Sequence, residues 1–216
     1  MDCRKLARLG LLVLLGAAAA ALGGGDSAEA KPLWASAAGR ATAPAGYLQF
    51  CRAQPAECVA QGPETTEALS VARWSELVET NTLVNLFIAP LADIEQYRRE
   101  EVWALPGSAG DCEDYVLLKR KWLIDRGWPT ASLLISVVYD EVAEGHAVLV
   151  ARTDHGDFVL DNKTDEIRRW TDTPYRFVKR QSAADPNRWV AVSPWASPDV
   201  ATAAPAPRQG LRGRLN

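Results

Sequence analysis

The stretch GDCEDYVLLKRKWLIDRGWPTASLLISVVY, residues 110–139, places a helix and a buried strand next to each other in the chain. From Asp111 onward, large apolar residues recur at helical spacing, which predicts a helix. Gly127 is placed to end this helix, and Pro129 follows it, as is common after a helical stop. Leu133–Tyr139 is apolar and rich in β-branched residues, which predicts a strand. A helix followed directly by a strand is therefore the expected centre of the fold.

Downstream of this pair, the pattern is that of short strands. His146–Arg152 and Phe158–Asp161 are predicted strands, and the polar residues 153–157 between them are typical of a tight hairpin turn. Trp189–Val192 is predicted as a final strand. Consecutive strands joined by such a turn indicate an antiparallel sheet.

Upstream of the pair, the pattern is helical. Apolar residues at helical spacing predict a helix over residues 69–88 and, after Pro90, another from Asp93 to Val102. Trp103–Gly107 is a predicted loop. Helices followed by an antiparallel sheet give an α+β fold.

The folded domain is expected over residues 47–196 of the 216. Residues 1–30 combine a basic start, a short apolar run and small residues before the cleavage position, which predicts a secretory signal peptide and a periplasmic location. An uncleaved membrane anchor is the alternative, although the run is short for a spanning helix. Residues 31–46 are predicted to be a flexible lead-in and residues 197–216 a disordered tail. The net charge of −3 gives no basic footprint for nucleic acid.

Export changes how the four cysteines are interpreted. Removal of residues 1–30 takes away Cys3, and in an oxidising compartment two of the remaining three cysteines can pair. Cys51 and Cys58 lie close together with Pro55 between them, so they are the predicted disulfide. Cys112 is then a lone thiol in an exported protein, which favours a chemical role for it.

Cys112, His146 and Asp161 form the candidate catalytic group. Cys112 is predicted at the N-terminal end of a helix, where backbone N–H groups favour a thiolate and can hold an oxyanion. If residue 152 pairs with residue 157, Asp161 becomes the diagonal neighbour of His146 on the same face of the hairpin. His146 is then the general base and Asp161 orients its imidazole. A strand-edge histidine bonded to backbone is the alternative for His146, and His155 lies in the predicted turn.

Three acidic residues surround the candidate nucleophile. Asp111, Glu113 and Asp114 oppose formation of a thiolate at Cys112, although carboxylates at the start of a helix also favour the helix. A divalent cation would remove this conflict, and carboxylate oxygens suit Ca²⁺. Asp111 and Glu113 are therefore candidate ligands of a calcium ion.

The combined motifs resemble the bacterial transglutaminase-like cysteine peptidases over about residues 47–192. The matching stretches are Gly110–Tyr115, Leu118–Arg120, Gly145–Leu149 and Val159–Asn162, supported by Phe50-Cys51, Cys58, Val84-Asn85, Trp103, Pro106 and Arg180–Ser182.

This resemblance implies a transglutaminase-like, papain-related fold, with Cys112, His146 and Asp161 at the triad positions. It implies that Asp111 and Glu113 take part in calcium binding. It also implies a protein substrate of the large surface-adhesin class, whose cleavage controls biofilm attachment, and sequestration of the protease by an inner-membrane cyclic di-GMP receptor.

Three other functions remain open at the level of sequence. The thioester intermediate can be resolved by an amine, which would make the protein a transglutaminase-type acyltransferase. A calcium-dependent binding module would use Cys112 structurally. A metal site at Cys51, Cys58 and a histidine is disfavoured, because the spacing matches no common zinc pattern.

Asn85 and Trp103 are candidates for a second oxyanion donor, and core packing is the alternative for Trp103.

Overall fold

The computed structural model describes residues 30–62 and 66–193. The predicted signal peptide, apart from its last residue, and the predicted tail 197–216 lie outside the described residues, and so does the membrane-anchor alternative. Within the described ranges, no helix has the length and apolar character needed to cross a membrane. The helices are α1 (Ala45–Ala53), α2 (Val71–Phe87), α3 (Asp93–Gln96) and α4 (Cys112–Asp125). The strands are β1 (Ala37–Ala41), β2 (Ala89–Pro90), β3 (Ala109–Gly110), β4 (Leu133–Tyr139), β5 (Gly145–Thr153), β6 (Gly156–Leu160), β7 (Arg168–Arg169), β8 (Arg176–Gln181) and β9 (Trp189–Val192).

Seven strands form one sheet in the order β1-β9-β8-β4-β5-β6-β7, and every neighbouring pair in it is antiparallel. The short strands β2 and β3 form a separate parallel pair. Helix α4 packs on β5, and α2 packs on α4. The predicted α+β fold is confirmed.

Both faces of the hairpin formed by β5 and β6 are buried, which explains the nearly continuous apolar sequence of these strands. On one face, Ala147 and Leu149 of β5 join the main core with Leu123 of α4. On the other face, Val148 and Val150 pack in a second core with their neighbours on the sheet. The first of these cores holds α4 against the sheet, and it therefore positions the N-terminal end of α4 relative to β5.

Several elements have the bounds that the sequence predicts. Strands β4 and β9 match residue for residue, α4 begins one residue after Asp111, and Gly127 takes the left-handed backbone conformation (φ 86°) that ends a helix. The hairpin turn falls at residues 154–155, inside the predicted loop.

Two predictions about local structure are wrong. The helix predicted from Asp93 to Val102 ends at Gln96, because Arg98 and Glu101 have positive φ values of 57° and 58° that no α-helix accommodates. The lead-in over residues 31–46 is not a loose segment, because it contains β1, which pairs with β9, and the start of α1. Since β1 lies at the sheet edge and consists mostly of small exposed residues, it has no alternating apolar pattern from which to predict it.

Candidate active site

The hairpin register brings His146 and Asp161 into direct contact. Arg152 pairs with Asp157 and Leu149 with Leu160, which is the register predicted from the sequence. His146 Nε2 lies 2.9 Å from Asp161 Oδ1, and both side chains are buried. Nε2 is thus the imidazole nitrogen that contacts the carboxylate, and Nδ1 is the nitrogen on the other side of the ring.

Donors reach both oxygens of the Asp161 carboxylate. Oδ1 accepts the backbone N–H of Lys163 at 3.1 Å in addition to its contact with His146, and Oδ2 accepts the hydroxyl of Tyr175. Burial raises the pKa of Asp161, but its contacts with His146 and Tyr175 outweigh burial and lower this pKa to about 2. Asp161 is therefore ionised at neutral pH and holds a neighbouring imidazolium favourably.

Cys112 is the first residue of α4 and is fully buried. It belongs to the main core, which also contains Ala147 and Leu149 of β5. Its Sγ lies 3.2 Å from Glu113 Oε2. In the full chain Cys112 is disulfide-bonded. The lone thiol predicted from the sequence refers to the chain from which residues 1–30 have been removed. Nucleophilic catalysis needs Cys112 as a reduced thiol.

Three buried carboxylates form a cluster next to the start of α4. One oxygen from each of Asp93, Asp111 and Glu113 lies within 4.8 Å of the others. Among the described residues, Asp93 Oδ1, both Asp111 oxygens and Glu113 Oε1 have no hydrogen-bond partner. A set of inward-facing carboxylate oxygens without donors fits a hard divalent cation such as Ca²⁺.

The acidic cluster is electrostatically unfavourable by itself. Burial, and then the nearby acidic side chains, raise the pKa values of Asp111 and Glu113. Asp111 precedes α4 at the N-cap position, but its side chain does not cap the helix. Stabilisation of the helix by capping therefore does not account for this carboxylate, and its two unpartnered oxygens remain available to a cation.

Asp114, the third acidic neighbour, has a different partner. Its Oδ1 accepts the backbone N–H of Ala104 at 2.8 Å and so attaches α4 to the preceding loop. A side chain at Gly110 would lie 2.5 Å from the Asp114 carboxylate, so this close approach requires glycine. Burial raises the pKa of Asp114 to about 8.

Contacts within the fold account for two of the remaining candidate residues, Asn85 and Trp103. Asn85 Nδ2 donates to the backbone oxygens of Asp161 and Thr164 and to the Asp165 carboxylate, so this amide supports the loop after β6 and is not a free oxyanion donor. Trp103 packs in the main core. His155 is exposed in the hairpin turn, beside Asp154.

The predicted disulfide between Cys51 and Cys58 is confirmed, with its two Cα atoms 5.6 Å apart. This bond excludes the alternative of a metal site built on the two thiols.

Sequence reasoning missed two residues of the site. Asp93 was expected only as the start of a helix, and the turn at Arg98 and Glu101 places it with Asp111 and Glu113. Tyr175 lies just before β8, a strand that the sequence analysis did not predict. Neither residue has a local motif, because each reaches the site through contacts that are distant in sequence.

Comparison with known proteins identifies a family for this chain. Residues 37–196, most of the chain, match the family model described as bacterial transglutaminase-like cysteine proteinase. Calcium-bound LapG of Legionella pneumophila is similar at 22% identity with a TM-score of 0.48, over 58% of this chain and 72% of that one. Another structure of Legionella pneumophila LapG is similar at 22% identity and a TM-score of 0.45. The match covers 51% of this chain and 64% of that one, so it spans less than two thirds of the length of that LapG chain. No curated protein matches the sequence.

Proposed function

Since this chain belongs to the bacterial transglutaminase-like cysteine proteinases, and is therefore a cysteine peptidase, we propose that it is an exported endopeptidase with Cys112 as nucleophile, His146 as base and Asp161 as the orienting carboxylate. The observation that carries this assignment is the buried contact of 2.9 Å between His146 Nε2 and Asp161 Oδ1. This contact fixes the tautomer and orientation of the imidazole.

The proposed reaction uses the two nitrogens of His146 differently. Nδ1 takes the proton of the Cys112 thiol, and the resulting thiolate attacks the carbonyl carbon of the scissile peptide. The imidazolium then gives this proton to the leaving amine as the tetrahedral intermediate collapses to a thioester. Water, deprotonated by His146, hydrolyses the thioester and regenerates the thiol. Asp161 stays ionised throughout and stabilises the imidazolium.

Backbone N–H groups at the start of α4 are the proposed oxyanion donors. The first turn of a helix has N–H groups without partners inside the helix, and they point out of its N-terminal end. Cys112 occupies the first position of α4. The arrangement therefore suits both a thiolate and the oxyanion that follows it.

We further propose that Asp93, Asp111 and Glu113 bind a calcium ion. When bound, the cation would neutralise negative charge beside the nucleophile, because Glu113 Oε2 lies 3.2 Å from Cys112 Sγ. The support for this site is the set of buried carboxylate oxygens that lack donors within the described chain.

The periplasm is the proposed location, supported by the features of residues 1–30 and by the disulfide between Cys51 and Cys58, which needs an oxidising compartment. By the resemblance set out above, the proposed substrate is a large surface adhesin whose cleavage controls biofilm attachment. The same resemblance supports regulation by an inner-membrane cyclic di-GMP receptor.

The test is incubation of the reduced protein with surface proteins of the same cell, followed by mass spectrometry of new chain termini. The protein and its His155→Ala variant are expected to produce the same specific cut, because His155 lies in the exposed turn. Cys112→Ala is expected to produce none, and His146→Ala to cut at least about 100-fold more slowly. An unchanged cut by Cys112→Ala contradicts the assignment. Cross-linked products in place of new termini would identify an acyltransferase.

A further inference from the structure

Resting on the proposed function, we infer that Tyr175 is a positioning residue of the active site, whose hydroxyl holds the Asp161 carboxylate in the orientation that engages His146. The hydroxyl donates to Oδ2, which is the oxygen that His146 does not contact. Tyr175 is thus a fourth member of the site, acting through Asp161 and not on the substrate.

The hydrogen bonds of Asp161 show how the orientation is fixed. Oδ1 accepts His146 Nε2 and the backbone N–H of Lys163, and Oδ2 accepts Tyr175. Rotation of the carboxylate about the Cβ–Cγ bond would break contacts at both oxygens together. Without the Tyr175 hydroxyl, the donors that resist rotation among the described residues would all be at Oδ1, and Oδ2 would lose its hydrogen bond to Tyr175.

Tyr175 also contacts the imidazole directly. Its ring lies edge-on to the His146 ring, with centroids 5.5 Å apart and an interplanar angle of 68°. One side chain therefore restrains both members of the His146–Asp161 pair, by a hydrogen bond to the carboxylate and by packing against the imidazole.

Strand pairing and a turn hold Tyr175 in place. It directly precedes β8, which pairs with β4, and β4 in turn pairs with the strand that carries His146. Just before it, Thr173 Oγ1 donates to the backbone oxygen of Trp170 and closes a turn. Burial, and then the charge of Asp161, raise the pKa of Tyr175 above its ordinary value, so the hydroxyl stays protonated and remains a donor at any working pH.

The test measures the rate at which iodoacetamide alkylates Cys112 in the reduced protein, resolved by peptide mass spectrometry so that Cys51 and Cys58 are counted separately. This rate reports formation of the thiolate and needs no identified substrate. Tyr175→Phe keeps the ring contact with His146 and removes only the hydroxyl. We expect it to lower the rate by about tenfold, the usual scale for a hydrogen bond to a charged group.

A double-mutant cycle separates positioning from a general structural effect. In an Asp161→Ala background, Tyr175→Phe is expected to change the rate by less than about twofold, because the hydroxyl then has no carboxylate to hold. Tyr139→Phe is the matched control, since Tyr139 is partly exposed on β4 and its ring stacks on Arg176. It is expected to leave the rate unchanged.

The outcomes separate this inference from the proposed function. An equal loss from Tyr175→Phe in both backgrounds overturns the inference, because it indicates a structural role. No loss from Tyr175→Phe, together with a slow His146→Ala variant, also overturns it and leaves the triad intact. If His146→Ala alkylates as fast as the unmodified protein, the proposed function fails, and the role of Tyr175 fails with it.

Discussion

The active-site region contains two sets of buried carboxylates that differ in their hydrogen-bond donors and in the direction of their pKa shifts. Asp161 has hydrogen-bond donors at both oxygens, and its pKa is lowered to about 2. Asp93, Asp111 and Glu113 keep oxygens that no donor in the described chain reaches, and their pKa values are raised by burial. Burial is therefore shared by the two sets, and the supply of donors distinguishes them.

This difference in hydrogen-bond donors distinguishes a carboxylate that the chain itself stabilises from a cluster of carboxylates that needs a ligand. The chain supplies Asp161 with its partners, and a charged group with good hydrogen bonds can remain buried and ionised. The acidic cluster gathers buried like charges, which is costly unless protons or a metal ion neutralise them. The first arrangement suits an orienting residue, and the second suits a binding site.

Among the carboxylates of the two sets, removal of Asp161 should slow catalysis most. In Asp161→Ala the imidazole loses the group that fixes its orientation and stabilises its charged form, so we expect cleavage to slow by about 10³-fold. The measurement is the initial rate on the protein cut by the unmodified peptidase. Asp125→Ala, at an exposed position near the end of α4, is the control and should retain full activity. A loss below about tenfold would contradict the orienting role.

Calcium should stabilise the protein through the acidic cluster. At a calcium concentration 100 times its Kd, binding adds about 2.7 kcal/mol to the free energy of unfolding. For a domain of this size, this corresponds to a rise in Tm of about 5–10 °C, reversed by a chelator. Thermal unfolding followed by circular dichroism measures this shift.

Asp93→Asn tests whether this cluster is the site of the calcium response. Because Asp93 supplies one of the three clustered oxygens, its neutral variant should lose most of the rise in Tm. Asp125→Asn should keep the full rise. An unchanged Tm of the unmodified protein with and without calcium would sink the calcium proposal.

The pair of His146 and Asp161 could be predicted from the sequence because it depends on local geometry. A short turn fixes the register of a hairpin, and the register fixes which side chains share a face. Once the turn at residues 154–155 is recognised, the contact between residues 146 and 161 follows. Local patterns also place Cys112 at the N-terminal end of a helix, since apolar residues recur at helical spacing in α4 and Gly127 lies just after its end.

Asp93 and Tyr175 could not be predicted because each reaches the site from a segment without a periodic pattern. Asp93 lies 18 residues before Asp111 in the numbering, and positive φ values at Arg98 and Glu101 turn the intervening chain back. Tyr175 precedes a strand of mixed polarity, Arg176–Gln181, whose place beside β4 depends on tertiary pairing. In both cases the position results from packing between distant segments, which sequence spacing does not encode.

The smallest expected effects are changes in the free energy of unfolding, measured by urea unfolding in the presence of a chelator. These changes have opposite signs in the two sets of carboxylates. Asp161→Asn should destabilise the protein at pH 7, because a pKa of about 2, against 3.8 for an ordinary aspartate, corresponds to about 2 kcal/mol. Asp111→Asn should instead stabilise it, by up to about 1 kcal/mol, because a neutral amide costs less to bury than a carboxylate and relieves the repulsion from Asp93.

The pH dependence of these two effects provides the sharper test. A lowered pKa contributes stability above the pKa of the unfolded state, so the contribution of Asp161 should persist down to about pH 4 and disappear as the pH falls toward 2. The raised pKa of Asp111 favours its protonated form, so the advantage of Asp111→Asn should be largest at neutral pH and vanish near pH 4. Asp125→Asn should change little at either pH. If both active-site variants shifted the free energy of unfolding in the same direction at pH 7, donor supply would not be what separates the two sets of carboxylates.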